Sequence, residues 1–175
     1  MKIYKFIYIL TALIWLIVSS CNAKCKHAQE KIFNPPDSVI VKTLGDTITD
    51  VIFNAKKVSV YKLAKVFDST AVKLGDCEDF ARDSFLTDLS PATYAVMDFI
   101  LLSDTVNYKT DSMLVRTQYY PSLEFEFQKK KEIVKIRISI PDYSWSIIHN
   151  NKRRFNFNYK DQYAIQRFCN TFNIK

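Results

Sequence analysis

The side chains able to do chemistry are few and scattered. The 175 residues hold two histidines, His27 and His149, and four cysteines, Cys21, Cys25, Cys77 and Cys169. A serine or cysteine hydrolase needs a base within reach of its nucleophile. That base would be His149, because His27 lies in a polar N-terminal stretch. The densest acidic cluster is Gly75-Asp76-Cys77-Glu78-Asp79. Such carboxylates ligate calcium or work as an acid and base pair. These lack the alternating oxygen ligands of a calcium loop and have no histidine beside them, so they read as a solvated turn. The cysteine and histidine spacings fit no zinc pattern. Gly45 and Gly75, the two glycines, cannot build a glycine-rich phosphate cradle. No cofactor and no metal is implied. The most concentrated basic patch, Lys152-Arg153-Arg154, is a candidate binding surface.

Whatever these residues do, they need a scaffold, and the apolar periodicity supplies one. Leu123, Phe125 and Phe127 alternate with Glu124, Glu126 and Gln128; Val134, Ile136, Ile138 and Ile140 alternate with Lys135, Arg137 and Ser139. A two-residue Lys130-Lys131 loop sets Phe127 against Val134, Phe125 against Ile136 and Leu123 against Ile138. It also sets Glu126 against Lys135 and Glu124 against Arg137, so one register satisfies both faces. Pro141-Asp142 makes the next turn. A three-residue Asn150-Asn151-Lys152 loop would then oppose Ile147 with Phe155 and Trp145 with Phe157, using the tolerance of asparagine for left-handed backbone.

Around this β unit the pattern is helical in three places. Ile48, Val51, Ile52 and Ala55 share one helix face with Asp46 as N-cap. Ser90-Pro91 opens a helix through Leu102 that is apolar on nearly every side, and so should be buried. Ala164, Ile165, Phe168, Cys169 and Phe172 form the stripe of a last helix over about 160–172. Ser38–Leu44 and Val58–Leu63 read as strands, as do Val72 and Leu74, and Ser103–Thr117 as a loop. The expected fold class is α+β: an antiparallel sheet of hairpins with helices packed on one face, in two layers.

The N-terminal run states a destination. Lys2 and Lys5 precede an apolar segment from Phe6 to Val18, followed by Ser19, Ser20 and Cys21. That order is a secretory signal, and the apolar segment is shorter than the about 20 residues of a spanning helix. Val18-Ser19-Ser20-Cys21 resembles the lipobox of bacterial lipoproteins. The resemblance implies a diacylglyceryl group on the Cys21 sulfur, cleavage before it by signal peptidase II, and acylation of the new amine. Asn22 stands where the enterobacterial family uses Asp for inner-membrane retention, which implies the outer membrane. The chain then divides into a signal peptide (1–20), a lipidated tether (21–37) ending in Pro35-Pro36, and one globular domain (38–175). The net charge of +7 falls to +5 when Lys2 and Lys5 leave, which suits an anionic membrane or anionic glycan. In that compartment nucleic acid is not an expected partner. An oxidising compartment also permits a Cys77–Cys169 disulfide, with Cys169 as a small free core residue the alternative.

These readings lead to a lipid-anchored envelope protein that acts by binding or by a structural role. The alternatives are a small envelope inhibitor or immunity protein blocking a toxin or lytic enzyme through a protruding loop (103–117 or 152–154), and a hydrolase using His149.

Overall fold

A computed structural model describes residues 36–65, 80–109, 119–150 and 152–172, with the backbone alone at 152–154. All the described elements and the buried core cluster lie in one compact unit, Pro35–Lys175, which is the folding unit.

Six strands form one antiparallel sheet: β1 (Lys57–Lys65), β2 (Phe80–Asp88), β3 (Pro121–Lys129), β4 (Glu132–Ser139), β5 (Ser144–His149) and β6 (Lys152–Asn158). Their order is β2-β1-β3-β4-β5-β6. The β3–β4 register pairs Phe127 with Val134, Phe125 with Ile136, Leu123 with Ile138, Glu126 with Lys135 and Glu124 with Arg137, as the alternation requires. In β5–β6, Ile147 faces Phe155 and Trp145 faces Phe157. The turn before them is tighter than expected. His149 pairs with Lys152, leaving two residues between them, and a bulge between Ile147 and Ile148 absorbs the extra residue. Asn150 takes the left-handed conformation (φ 53°).

Helices α1 (Ser38–Leu44), α2 (Asp46–Phe53), α3 (Pro91–Met97) and α4 (Gln162–Asn170) pack with the Phe125 face of the sheet into one core. Ser38–Leu44 is thus a helix, not a strand. Asp37 caps it, accepting from Val39 N at 2.7 Å, and the residues it buries, Ile40 and Leu44, are four apart. Its β-branched residues argue for a strand, but burial at i and i+4 prevails. Gly45, with φ 82°, is both C-cap of α1 and N-cap of α2, so Asp46 sits in the first turn of α2, where the helix dipole favours an acid.

α3 begins as the sequence indicates, Ser90 Oγ accepting from Thr93 N at 3.1 Å and Pro91 following. It does not stay buried all round. Residues Asp98–Leu102 form a π-helical turn, closed by Ser103 N donating to Asp98 O at 2.9 Å. The wider turn buries Leu101 and Leu102 while leaving Phe99 81% exposed. Part of the expected loop 103–117 is also ordered, as a 3₁₀ turn at Thr105–Tyr108. Asn107 and Tyr108 are buried there, Tyr108 against the Trp145 ring. Positions 110–118, and Val72 and Leu74, lie outside the described residues.

Candidate functional site

The sheet's two faces differ in chemistry. On the face away from the Phe125 core, Glu124 is fully buried. Its carboxylate accepts from Arg82 Nε and Arg137 Nε, each at 2.7 Å. Arg82 also pairs with Glu126 and lies 3.7 Å over the Tyr61 ring. Burial lowers the Arg82 pKa, but the bonds to Glu126 and Glu124 outweigh it and leave the guanidinium held charged more firmly than usual. Tyr119 Oη bonds Ser146 Oγ at 2.6 Å, and Tyr120 N donates to Ser139 Oγ at 2.9 Å. The charged alternation in β3 and β4 is therefore a buried ionic network, not a solvated face. Its members are mutually satisfied, which makes it scaffold.

At one end of this sheet the charges are not balanced. β3 ends at Lys129 and β4 starts at Glu132, while Val134 pairs with His149 and His149 with Lys152. Both hairpin turns therefore lie at the same end. Lys57 pairs with Gln128, and Lys56 N donates to Gln128 O at 3.0 Å, so β1 starts there too. Three basic clusters distant in sequence, Lys56-Lys57, Lys129–Lys131 and Lys152–Arg154, converge on this end. The carboxylates nearby are engaged: Asp50 by Lys129 at 2.5 Å, Asp88 by Lys57 at 3.3 Å, and Glu126 by Arg82. The bond from Lys129 holds the Asp50 carboxyl below the usual range, with Lys130 adding to it. The Ser59 hydroxyl, then Lys57, does the same to Asp88. Lys56, Lys130 and Lys131 are exposed and have no ion pair among the described residues. A cleft of about 200 Å³ opens between the turns, lined by Glu126, Lys131, Ile133, Lys135, Ile148 and Asn150.

The other sequence candidates fall elsewhere. His149 Nε2 lies 3.1 Å from Glu132 Oε2, across the turn-proximal end of β4 and β5. The histidine thus has an acid beside it, but no hydroxyl or thiol bonds it among the described residues. Cys169 is a free buried thiol, and burial pushes its pKa up to about 12. Cys77, Cys21 and the acidic cluster 75–79 lie outside the described residues. No group of three His, Cys, Asp or Glu able to hold a metal occurs among the described residues, and no helix among them is long and apolar enough to cross a membrane.

A second cleft, of about 440 Å³, lies where the π-helical and 3₁₀ turns meet the start of α4, beside the exposed Tyr163. Three of its polar side chains, Asp104, Asn107 and Asp161, are committed to the fold. Asp104 caps Val106 N and Asp161 caps Ala164 N, while Asn107 donates to Ile100 O and Leu101 O and accepts from Lys160 N. The basic end is the better candidate, since its cations exceed what the fold uses. Sequence reading found only one of its three clusters, because the convergence depends on the β1–β3 and β4–β5 pairings, which no local pattern states.

No family model, no curated protein and no solved structure matches the chain.

Proposed function

We propose that the chain is a lipoprotein of the bacterial envelope, anchored through acyl chains on Cys21, which acts by binding at a surface. The observation that carries the anchor is the order Lys2, Lys5, apolar segment, Val18-Ser19-Ser20-Cys21. Two or more acyl chains hold a protein stably at a bilayer without any spanning helix, each buried CH₂ contributing about 0.8 kcal/mol. The outer membrane is the favoured location, from Asn22 following the cysteine. The basic end of the sheet supports action by binding, because its unpaired lysines offer an anionic partner charge that the fold does not consume. The hydrolase reading finds less support, since His149 contacts an acid but no nucleophile among the described residues. The inhibitor reading needed a protruding loop. Asn107 and Tyr108 of 103–117 are packed in the core, and positions 110–117 lie outside the described residues.

The test is expression of the full chain in a bacterium with intact-mass analysis of the membrane fraction. The expected product starts at Cys21 and carries acyl mass, Cys21→Ala stops processing, and inhibition of signal peptidase II leaves the precursor. A product that starts elsewhere, or that lacks acyl mass, refutes the anchor.

A further inference from the structure

We propose that the basic end of the sheet docks on the phosphate headgroups of an anionic lipid surface, the membrane to which Cys21 tethers the chain. The identity of that membrane rests on the lipoprotein reading; the headgroup affinity rests on the structure. Charge is the first argument. Lys56, Lys130 and Lys131 are exposed without ion pairs among the described residues, and Asp50, Asp88 and Glu126 are neutralised by Lys129, Lys57 and Arg82. Glu132 is the remaining carboxylate at the turns, and it contacts His149. An anionic surface attracts such an excess over about a Debye length.

Shape and apolarity argue for a lipid headgroup over a polyanionic glycan. The cleft between the turns, at about 200 Å³, is smaller than the roughly 300–1,000 Å³ of sites that enclose whole ligands. It suits one compact phosphate group. Ile133 stands 36% exposed in this cleft, with Lys131 and Lys135 two residues to either side of it. That pairing matches the boundary of a bilayer, where lysine heads meet phosphates while apolar groups reach the acyl region.

The tether makes even low headgroup affinity effective. On the lipoprotein reading, a domain held at the bilayer meets its headgroups at a high effective concentration.

The test uses the folding unit Pro35–Lys175 in co-sedimentation with phosphatidylcholine vesicles, with and without phosphatidylglycerol, at low and high salt. The expected result is binding to the anionic vesicles alone, weakened by salt. Lys130→Glu with Lys131→Glu should lower partitioning about tenfold or more. Lys109→Glu with Lys160→Glu, equal in charge but away from this end, should change it far less; Lys109 bridges Asn158 at the opposite end of the sheet, and Lys160 follows Asn158 by two residues. Circular dichroism confirms that both variants fold. Equal binding to both vesicle types, indifference to the Lys130/Lys131 pair, or binding to soluble dextran sulfate that anionic vesicles do not compete would each overturn the proposal. The full chain, assayed for acyl mass, separates the two readings. A full chain that lacks acyl mass while its folding unit binds vesicles refutes only the anchor, and an acylated full chain whose folding unit ignores vesicles refutes only the docking face.

Discussion

Glu124 is the residue whose loss should be felt most. It accepts from two arginine Nε groups at 2.7 Å and is fully buried. Removing one partner of a buried charge pair strands the other, a change that costs about 3–5 kcal/mol in comparable sites. Glu124→Ala is therefore expected to lower the urea-unfolding free energy by about 3 kcal/mol or more. Arg82→Met should cost only about 1 kcal/mol, because Arg82 is a third exposed and Glu124 keeps Arg137. If the two variants lose equal stability, the network is not organised around Glu124. Cys169 gives a second prediction at this scale. Its thiol is buried with a pKa near 12, so the thiolate that reacts with alkylating agents is scarce at pH 8. Iodoacetamide should label Cys169 only on unfolding, read by mass spectrometry with and without urea.

At the level of elements, the β3–β4 hairpin was the most legible part of the sequence. Its two faces constrain each other: slipping Phe125 by one position would also put Glu124 in the core, so a single register survives. What alternation does not reveal is whether the polar face is wet. Glu124 and Arg137 alternate with the core residues and are nonetheless buried, Glu124 accepting from both Arg137 and Arg82 of β2. Ser38–Leu44 fails for a different reason. Seven residues carry too few periods to separate helix from strand, and Asp37 and Gly45 decide it from outside the segment. The basic end was half visible: Lys152–Arg154 is a local run, but its union with Lys56-Lys57 and Lys129–Lys131 is a property of strand order. The hairpin itself carries a cost. Lys130 holds φ 55°, a conformation that disfavours any residue with a Cβ. Lys130→Gly should therefore stabilise the domain by about 0.5–1 kcal/mol, after the greater flexibility of glycine is counted. A loss of stability in thermal unfolding would show that the lysine side chain does more than occupy the turn.

Across the whole molecule, the core is bounded by acids that it keeps protonated. Burial raises the pKa of Tyr94, Tyr108, Tyr159 and Cys169. The three hydroxyls donate to the carbonyls of Ile52, Leu102 and Ser139, fixing α2, the π-helical turn and β4 to their neighbours. Unfolded, the thiol ionises near pH 9 and the phenols near pH 10. Between those values and the raised folded ones the native state binds more protons than the unfolded state, so stability falls as pH rises. Their contribution is complete below pH 9. Each group then removes up to about 1.4 kcal/mol per pH unit, Cys169 first and the tyrosines from about pH 10. A loss of several kcal/mol is expected between pH 9 and pH 11, a large share of the about 5–15 kcal/mol that holds an ordinary domain. Urea titrations of Pro35–Lys175 across that range should show it. Cys169→Ala should start from a lower stability yet fall less steeply, by one proton, between pH 9 and pH 10. A stability that stays level between pH 9 and pH 11 would mean that these groups reach solvent in the native state, and that the core is less closed than their burial implies.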